Sequence, residues 1–243
     1  MCTKIEFPEW QSRTLLLYGS DRMKKLSDSR VLIAGVGGVG AYAAEMLCRA
    51  GVGRLILIDA DKVTPSNINR QLPALHSTIG QAKAPLLADR FKDINPQLQV
   101  EALQIFLDEN NIPHLLEELK PDFVVDAIDT VNCKCKLIEN CLDRHIPIVS
   151  SMGAGAKTDI RRIRVEQIWK TTQCGLAKAV RTQLRRDGYR HRLPVVFSDE
   201  PVNREAVVEV KGERNKRSTA GTAAYITATF GNYLAWYVLE HLQ

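Results

Sequence analysis

Val31-Leu-Ile-Ala-Gly35-Val-Gly37-Gly38-Val-Gly40 is the stretch that decides the fold. Its four leading apolar residues predict a short buried strand, and the glycines predict a tight turn that opens a helix. Gly35, Gly37 and Gly40 stand in G-x-G-x-x-G spacing, with Gly38 among them. Lacking Cβ atoms, such residues permit a sharp turn, close approach of backbone to a ligand, and close packing of helix on strand. The start of that helix presents amides with no partner within the helix, which suit a phosphate or another anion.

Working outward, Leu55 to Ile58, Phe123 to Val125 and Ile146 to Val149 are further short apolar runs. Gln81 to Asp93 and Cys133 to Arg144 repeat apolar residues at three- and four-residue spacing, and Asn95-Pro96 and Lys120-Pro121 supply breaks after helical segments. This alternation predicts an α/β fold, a Rossmann-like, mostly parallel, doubly wound sheet with an elaborated C-terminal half. Asp59 follows Gly40 by nineteen residues, at the end of the second apolar run, where a carboxylate can accept hydrogen bonds from ribose hydroxyls. A nucleotide site is expected. On these features alone a nicotinamide dehydrogenase and an ATP-using enzyme are equally served.

With 243 residues, 45% of them hydrophobic, the chain can bury one substantial core. We expect one domain over residues 1–243, with a nucleotide-binding half at 1–155 and a basic, substrate-binding elaboration with a closing helix at 156–243. The net charge is +5, unevenly spread: Ser151 to Arg217 holds sixteen Lys and Arg against eight Asp and Glu, an excess of +8 that leaves −3 elsewhere. Clustered positive charge gains affinity for polyanions by releasing counterions. Arg161-Arg162-Ile163-Arg164 and Arg181 to Arg192 are basic clusters among short mixed segments, which read as an elaboration of the sheet plus a mobile, basic loop region.

Six cysteines (Cys2, Cys48, Cys133, Cys135, Cys141, Cys174) form no C-x-x-C pair, and Leu137, Ile138 and Cys141 share an apolar helix face with Cys133. Reduced structural thiols are expected, with neither a zinc centre nor a disulfide framework. Met1 to Trp10 has no apolar run of the kind a secretory signal requires, so a cytoplasmic location is expected. Ser218 to Leu239 carries no charge but is rich in Thr, Ala and Gly and has no basic flank after it. It reads as a helix buried against the sheet or a dimer partner rather than as a membrane span.

Downstream of Asp59 the chain reads Asp61-Lys-Val-Thr-Pro-Ser-Asn67-Ile-Asn69-Arg70-Gln71, then Gly80-Gln-Ala-Lys83, then Asp126-Ala-Ile-Asp129. On these motifs it resembles the ubiquitin-activating-like family that includes the sulfur-carrier adenylating enzymes ThiF and MoeB. The resemblance implies that a carboxylate attacks the α-phosphorus of ATP and pyrophosphate leaves. Arg70 and Lys83 would then supply fixed positive charge for the triphosphate and the departing pyrophosphate. Asn67, Asn69 and Gln71 would orient sugar and phosphates, and Asp129 would associate with Mg²⁺, supported by Asp126 from the strand end. Arg13, in Gln11-Ser-Arg13-Thr-Leu-Leu, resembles the family's N-terminal arginine, which reaches the nucleotide of a neighbouring subunit and so implies a homodimer.

Sulfur-carrier activators commonly hold a zinc with two C-x-x-C pairs, which this chain lacks. It resembles instead the branch that dehydrates N6-threonylcarbamoyladenosine in tRNA. That resemblance rests on Arg13-Thr-Leu-Leu, Ser151-Met-Gly-Ala-Gly155, Thr171-Thr-Gln and Val196-Phe-Ser-Asp-Glu200 besides the motifs above. It implies a tRNA substrate, contacted by the basic half, with Tyr189 able to stack on a base and a sulfur-relay protein as a further partner. Adenylation of the C-terminal glycine of a ubiquitin-like carrier is the alternative. Where some relatives have a cysteine before Val-Phe-Ser, this chain has Val195, and Cys174 replaces a common Asp, so any cysteine-dependent step is in doubt.

Overall fold

A parallel strand covered on both faces must be apolar on both, and that is why runs such as Val31 to Ala34 show no alternation. In the computed structural model, which describes residues 7–209 and 218–242, Val31 and Ile33 point into one core and Leu32 and Ala34 into another. The elements run α1 (Ser12–Asp28), β1 (Arg30–Ala34), α2 (Gly40–Ala50), β2 (Arg54–Ile58), α3 (Lys83–Ile94), β3 (Gln99–Leu103), α4 (Ile112–Leu119) and β4 (Phe123–Asp126). They continue with α5 (Val131–Asp143), β5 (Ile148–Ser151), β6 (Ile163–Gln167), α6 (Gly175–Arg186), β7 (Pro194–Ser198), β8 (Val207–Glu209), β9 (Ser218–Ala220) and α7 (Ala224–His241).

Seven strands form one sheet in the order β3-β2-β1-β4-β5-β7-β6, all parallel except β6. The chain winds outward from β1 in one direction and from β4 in the other, which opens a crevice between the carboxyl ends of those two strands. Helices α2, α3 and α7 pack on one face, and α4, α5 and α6 on the other. β8 and β9 form a separate antiparallel pair.

The expected strands are present. One is displaced: β5 starts at Ile148 rather than Ile146, because Pro147 has no N–H to donate to a ladder and sits in the turn after His145, whose φ is +55°. The expected helices appear as α3 and α5. The uncharged run from Ser218 divides, its first residues forming β9 and the remainder α7, whose Ile226, Phe230, Leu234 and Val238 are fully buried on the sheet. No helix among the described residues is long and apolar enough to cross a membrane.

The expectation of a basic loop region holds for Arg190 and Arg192, between α6 and β7, and is corrected for the rest. Arg181 to Arg186 lie in α6, held by Ala177, Val180 and Leu184, whose helical spacing puts all three in the core. Arg164 lies in β6. Lys211, Arg214, Lys216 and Arg217, like Cys2 and the residues before Phe7, fall outside the described residues.

Candidate active site

The crevice is built first by glycine. Gly35 leaves β1 with φ +86°, and a Cβ there would stand 2.9 Å from the Ala127 carbonyl oxygen, beyond the end of β4. A Cβ on Gly40 would stand 1.9 Å from the Gly35 carbonyl oxygen. Any side chain at either place would push the loop off the sheet. The resulting turn begins α2 with no side-chain cap, and the amides of Gly37, Gly38, Val39 and Gly40 meet no acceptor among the described residues. Four donors aligned with a helix dipole make a ready anion site.

Asp59 lies just past β2 and braces this loop: its Oδ2 accepts the Val36 amide at 2.8 Å and its Oδ1 the Asp61 amide at 2.8 Å. Burial raises its carboxyl above the usual range, and the nearby Lys83 ammonium works against that shift. Lys83, 3% exposed at the start of α3, donates to Asp61 Oδ2 at 2.8 Å, while the Asp61 side chain is 71% exposed. A buried ammonium tied to a largely solvated carboxylate can exchange that partner for an incoming phosphate.

The segment from Thr64 to Gln71 folds beside the glycine loop. Asn67 shapes it, accepting the Thr64 amide at 3.2 Å. Asn69 donates to the Thr222 carbonyl at 2.9 Å and accepts from Arg70, which also donates to the Ser66 carbonyl at 2.8 Å. Arg70 meets no carboxylate within 4.0 Å among the described residues, and its side chain runs along Gly38. Gln71 lies next to Gly37, its Oε1 buried and without a donor among the described residues. A buried carbonyl oxygen lacking a partner is uncommon and fits a site that a ligand completes.

Asp129, three residues past β4, is exposed and accepts no hydrogen bond among the described residues. Asp126 differs completely. It is 0% exposed, accepts from Lys134 Nζ at 2.6 Å and Ser150 Oγ at 2.5 Å, and Lys134 also donates to the Ser151 carbonyl at 3.0 Å. The expectation that Asp126 supports a metal from the strand end is therefore corrected: its carboxylate is engaged inside the core. No group of three or more His, Cys, Asp or Glu side chains gathers as a metal site among the described residues. A Mg²⁺ held by Asp129 together with phosphate oxygens needs no such group.

Arg13 does not join these residues within one chain. It is exposed on α1, near Leu16 and Leu17, which are 85% and 76% exposed. Sequence reasoning misses Lys134, although a lysine amid the apolar positions of a helix is a signal. Tyr189 donates its hydroxyl to Asp143 at 2.7 Å and packs against the core, which leaves it poorly placed to stack on a base. Cys174 caps α6, its Sγ accepting from the Ala177 amide, and is half-buried. Cys48, Cys133, Cys135 and Cys141 are buried free thiols, and burial pushes Cys48 and Cys135 up to about 12.

The chain and its fold resemble known proteins over nearly their whole length. The tRNA threonylcarbamoyladenosine dehydratase of Bacillus subtilis (strain 168) is 41% identical over 238 residues, covering 95% of this chain and 93% of that one. Its counterpart of the same name from Escherichia coli (strain K12) is 37% identical, covering 96% and 94%. The crystal structure of E. coli tRNA N6-threonylcarbamoyladenosine dehydratase, TcdA, in complex with ATP superposes with a TM-score of 0.86 at 34% identity, covering 95% of this chain and 92% of that one. The ThiF family model matches residues 11–243, and the chain belongs to the ThiF family.

Proposed function

We propose that this protein is an ATP-dependent dehydratase that cyclises N6-threonylcarbamoyladenosine in tRNA through an acyl adenylate. The observation that carries the reading is the crevice itself. Four amides at the start of α2 that meet no acceptor among the described residues lie with Arg70, Lys83 and the exposed carboxylate of Asp129 at the carboxyl ends of β1, β2 and β4. Relatives that match nearly the whole chain bear the dehydratase name, and one is solved with ATP.

In the first step the threonyl carboxylate oxygen bonds to the α-phosphorus, and the bond from that phosphorus to the bridging oxygen breaks, releasing pyrophosphate. An atom of the ureido group then attacks the activated carbonyl, the carbonyl–oxygen bond to AMP breaks, and the ureido proton is released. The oxygen lost from the substrate departs on AMP, so the product is lighter by one water. Ring closure joins two groups of one molecule, for which effective molarity is high, so an enzyme thioester is not required.

In this reading Lys83 releases Asp61 to meet the phosphates, and Arg70 turns from the Ser66 carbonyl to do the same. Asp59 faces the ribose, while Asn67, Asn69 and Gln71 hold the loop and the nucleotide. Mg²⁺ bound at Asp129 would screen the charges of nucleotide and substrate carboxylate from each other. Arg13 would reach the crevice of a second copy in a homodimer. Residues 1–155 form the nucleotide-binding part of a single domain, and residues 156–243 complete it and meet the tRNA.

The deciding experiment is mass spectrometry of nucleosides from tRNA incubated with the enzyme, ATP and Mg²⁺. A threonylcarbamoyladenosine lighter by one water is expected, and it should vanish with Arg70→Ala or Asp129→Ala. ATP–pyrophosphate exchange stimulated by a ubiquitin-like carrier and not by tRNA would replace this reading with carrier adenylation.

A further inference from the structure

The arginines of the second half do not make one surface, because strand direction sorts them to opposite ends of the sheet. β7 runs parallel to β5, so Ser198 lies at the crevice end and Pro194 at the far end. β6 runs antiparallel to it, which brings Arg161 and Arg162 to the crevice end. There the cations are matched by anions: Arg161 binds Asp159 at 2.9 Å, and Asp199 accepts from Arg162 at 2.8 Å and from Arg164 at 2.5 Å. Arg181, midway along α6, turns inward onto the Thr171 carbonyl.

α6 starts at the crevice end, where Cys174 lies against Gly153, and its twelve residues carry the chain about 18 Å toward the far end. Arg185, Arg190 and Arg192 therefore gather at the far end, together with Arg144 just past α5. All four are exposed, and none has a carboxylate within 4.0 Å among the described residues. The neighbouring acids are engaged elsewhere: Glu166 faces Lys170, Asp187 faces Arg186, and Asp143 holds Tyr189. Trp169 stiffens the edge, donating its indole N–H to the His191 carbonyl at 2.9 Å with the Arg185 guanidinium 5.2 Å from its ring centre.

A nucleotide in the crevice cannot touch this edge, and only an extended polyanion spans both ends. Resting on the function proposed above, we infer that the edge formed by Arg144, Arg185, Arg190 and Arg192 grips backbone phosphates of a tRNA stem while the modified nucleoside occupies the crevice. The four are positioning residues. Their contribution is to hold the polymer, and it is sequence-independent and salt-dependent.

The test is binding of an unmodified tRNA transcript, which separates the surface from the chemistry. Arg185→Ala/Arg190→Ala/Arg192→Ala, in the full chain, should weaken binding about tenfold or more near 0.1 M salt and flatten the dependence of log Kd on log salt by about 0.7–0.9 for each phosphate no longer neutralised. The triple Arg→Lys variant should restore most of the slope, and an unchanged melting temperature checks the fold. With modified tRNA, the alanine variant should raise KM and leave kcat at saturation.

Unchanged affinity and slope in that variant, with weaker binding in Arg161→Ala/Arg162→Ala/Arg164→Ala instead, would overturn the inference. So would binding of the wild-type protein to phosphatidylserine vesicles but not to the transcript. Should the alanine variant lose the transcript while the wild type yields no dehydrated nucleoside, the surface stands and the reaction assigned above fails.

Discussion

Two buried lysines each hold an aspartate at nearly the same distance, Lys83 with Asp61 at 2.8 Å and Lys134 with Asp126 at 2.6 Å. Their surroundings set them apart. Asp126 and Lys134 are both 0% exposed, and Ser150 and the Ser151 carbonyl complete their hydrogen bonds, so the pair is closed to anything outside. Lys83 is buried as well, but its Asp61 is 71% exposed and the pair opens onto the glycine loop. The same two side-chain types thus serve the core in one place and the crevice in the other. What separates them is whether the carboxylate can leave its lysine at small cost in solvation.

The largest effect should come from opening the closed pair. Lys134→Ala leaves Asp126 charged in the core with only the Ser150 hydroxyl and the Ile128 amide to donate to it among the described residues and no cation beside it, and denaturant unfolding should show a loss of about 3–5 kcal/mol. Asp126→Asn/Lys134→Met, which removes both charges, should recover much of that loss. If the single and double variants are equally unstable, packing rather than charge is what the pair provides. The lysine at the crevice should behave in the opposite way. Lys83→Ala should lower ATP–pyrophosphate exchange by about 10²–10³-fold, the scale of one preorganised donor to a developing charge, while its unfolding midpoint moves less than that of Lys134→Ala.

The sequence makes half of this contrast legible. Val31 to Gly40, the downstream Asp59 and the apolar runs place the crevice because strand, turn and helix are each decided by neighbouring residues. Asp126 and Asp129, three residues apart, look interchangeable in sequence. The partners that distinguish them, Lys134 and Ser150, reach Asp126 only once the β4–α5–β5 crossover has formed. The sorting of the arginines is hidden for the same reason: Arg164 and Arg192 are both simply basic until the antiparallel turn of β6 onto β7 sends them to different ends. The resemblance singles out Arg13, yet its side chain is exposed on α1, apart from the crevice in a single chain.

Glu139 lies between the two extremes and sharpens the contrast. It is 5% exposed on α5; one oxygen accepts from Lys136 at 2.8 Å, and the other is buried with no donor among the described residues. Burial, and secondarily the Asp187 carboxylate beside it, hold its carboxyl above the usual range, against the pull of Lys136. With the folded value above the unfolded one, the unfolded chain releases its proton first as pH rises, so this residue costs stability above the unfolded value. Glu139→Gln should therefore stabilise the protein at pH 7 relative to wild type, and the gain should fade as pH falls to about 4.5. A gain of the same size at both pH values would point to packing instead.

The smallest effect belongs to Asp61. Because its carboxylate is mostly solvated, removing it returns little desolvation energy and forfeits only a screened attraction, so Asp61→Ala should change stability by no more than about 1 kcal/mol. Lys83 would still sit near the Asp59 carboxylate, which keeps the ammonium from being stranded. Freed from a competing partner, Lys83 should hold ATP at least as well as in the wild type, as measured by ATP-dependent thermal protection. Loss of several kcal/mol on this substitution would mean that the pair at the crevice is as closed as the one in the core, and that Lys83 is structural.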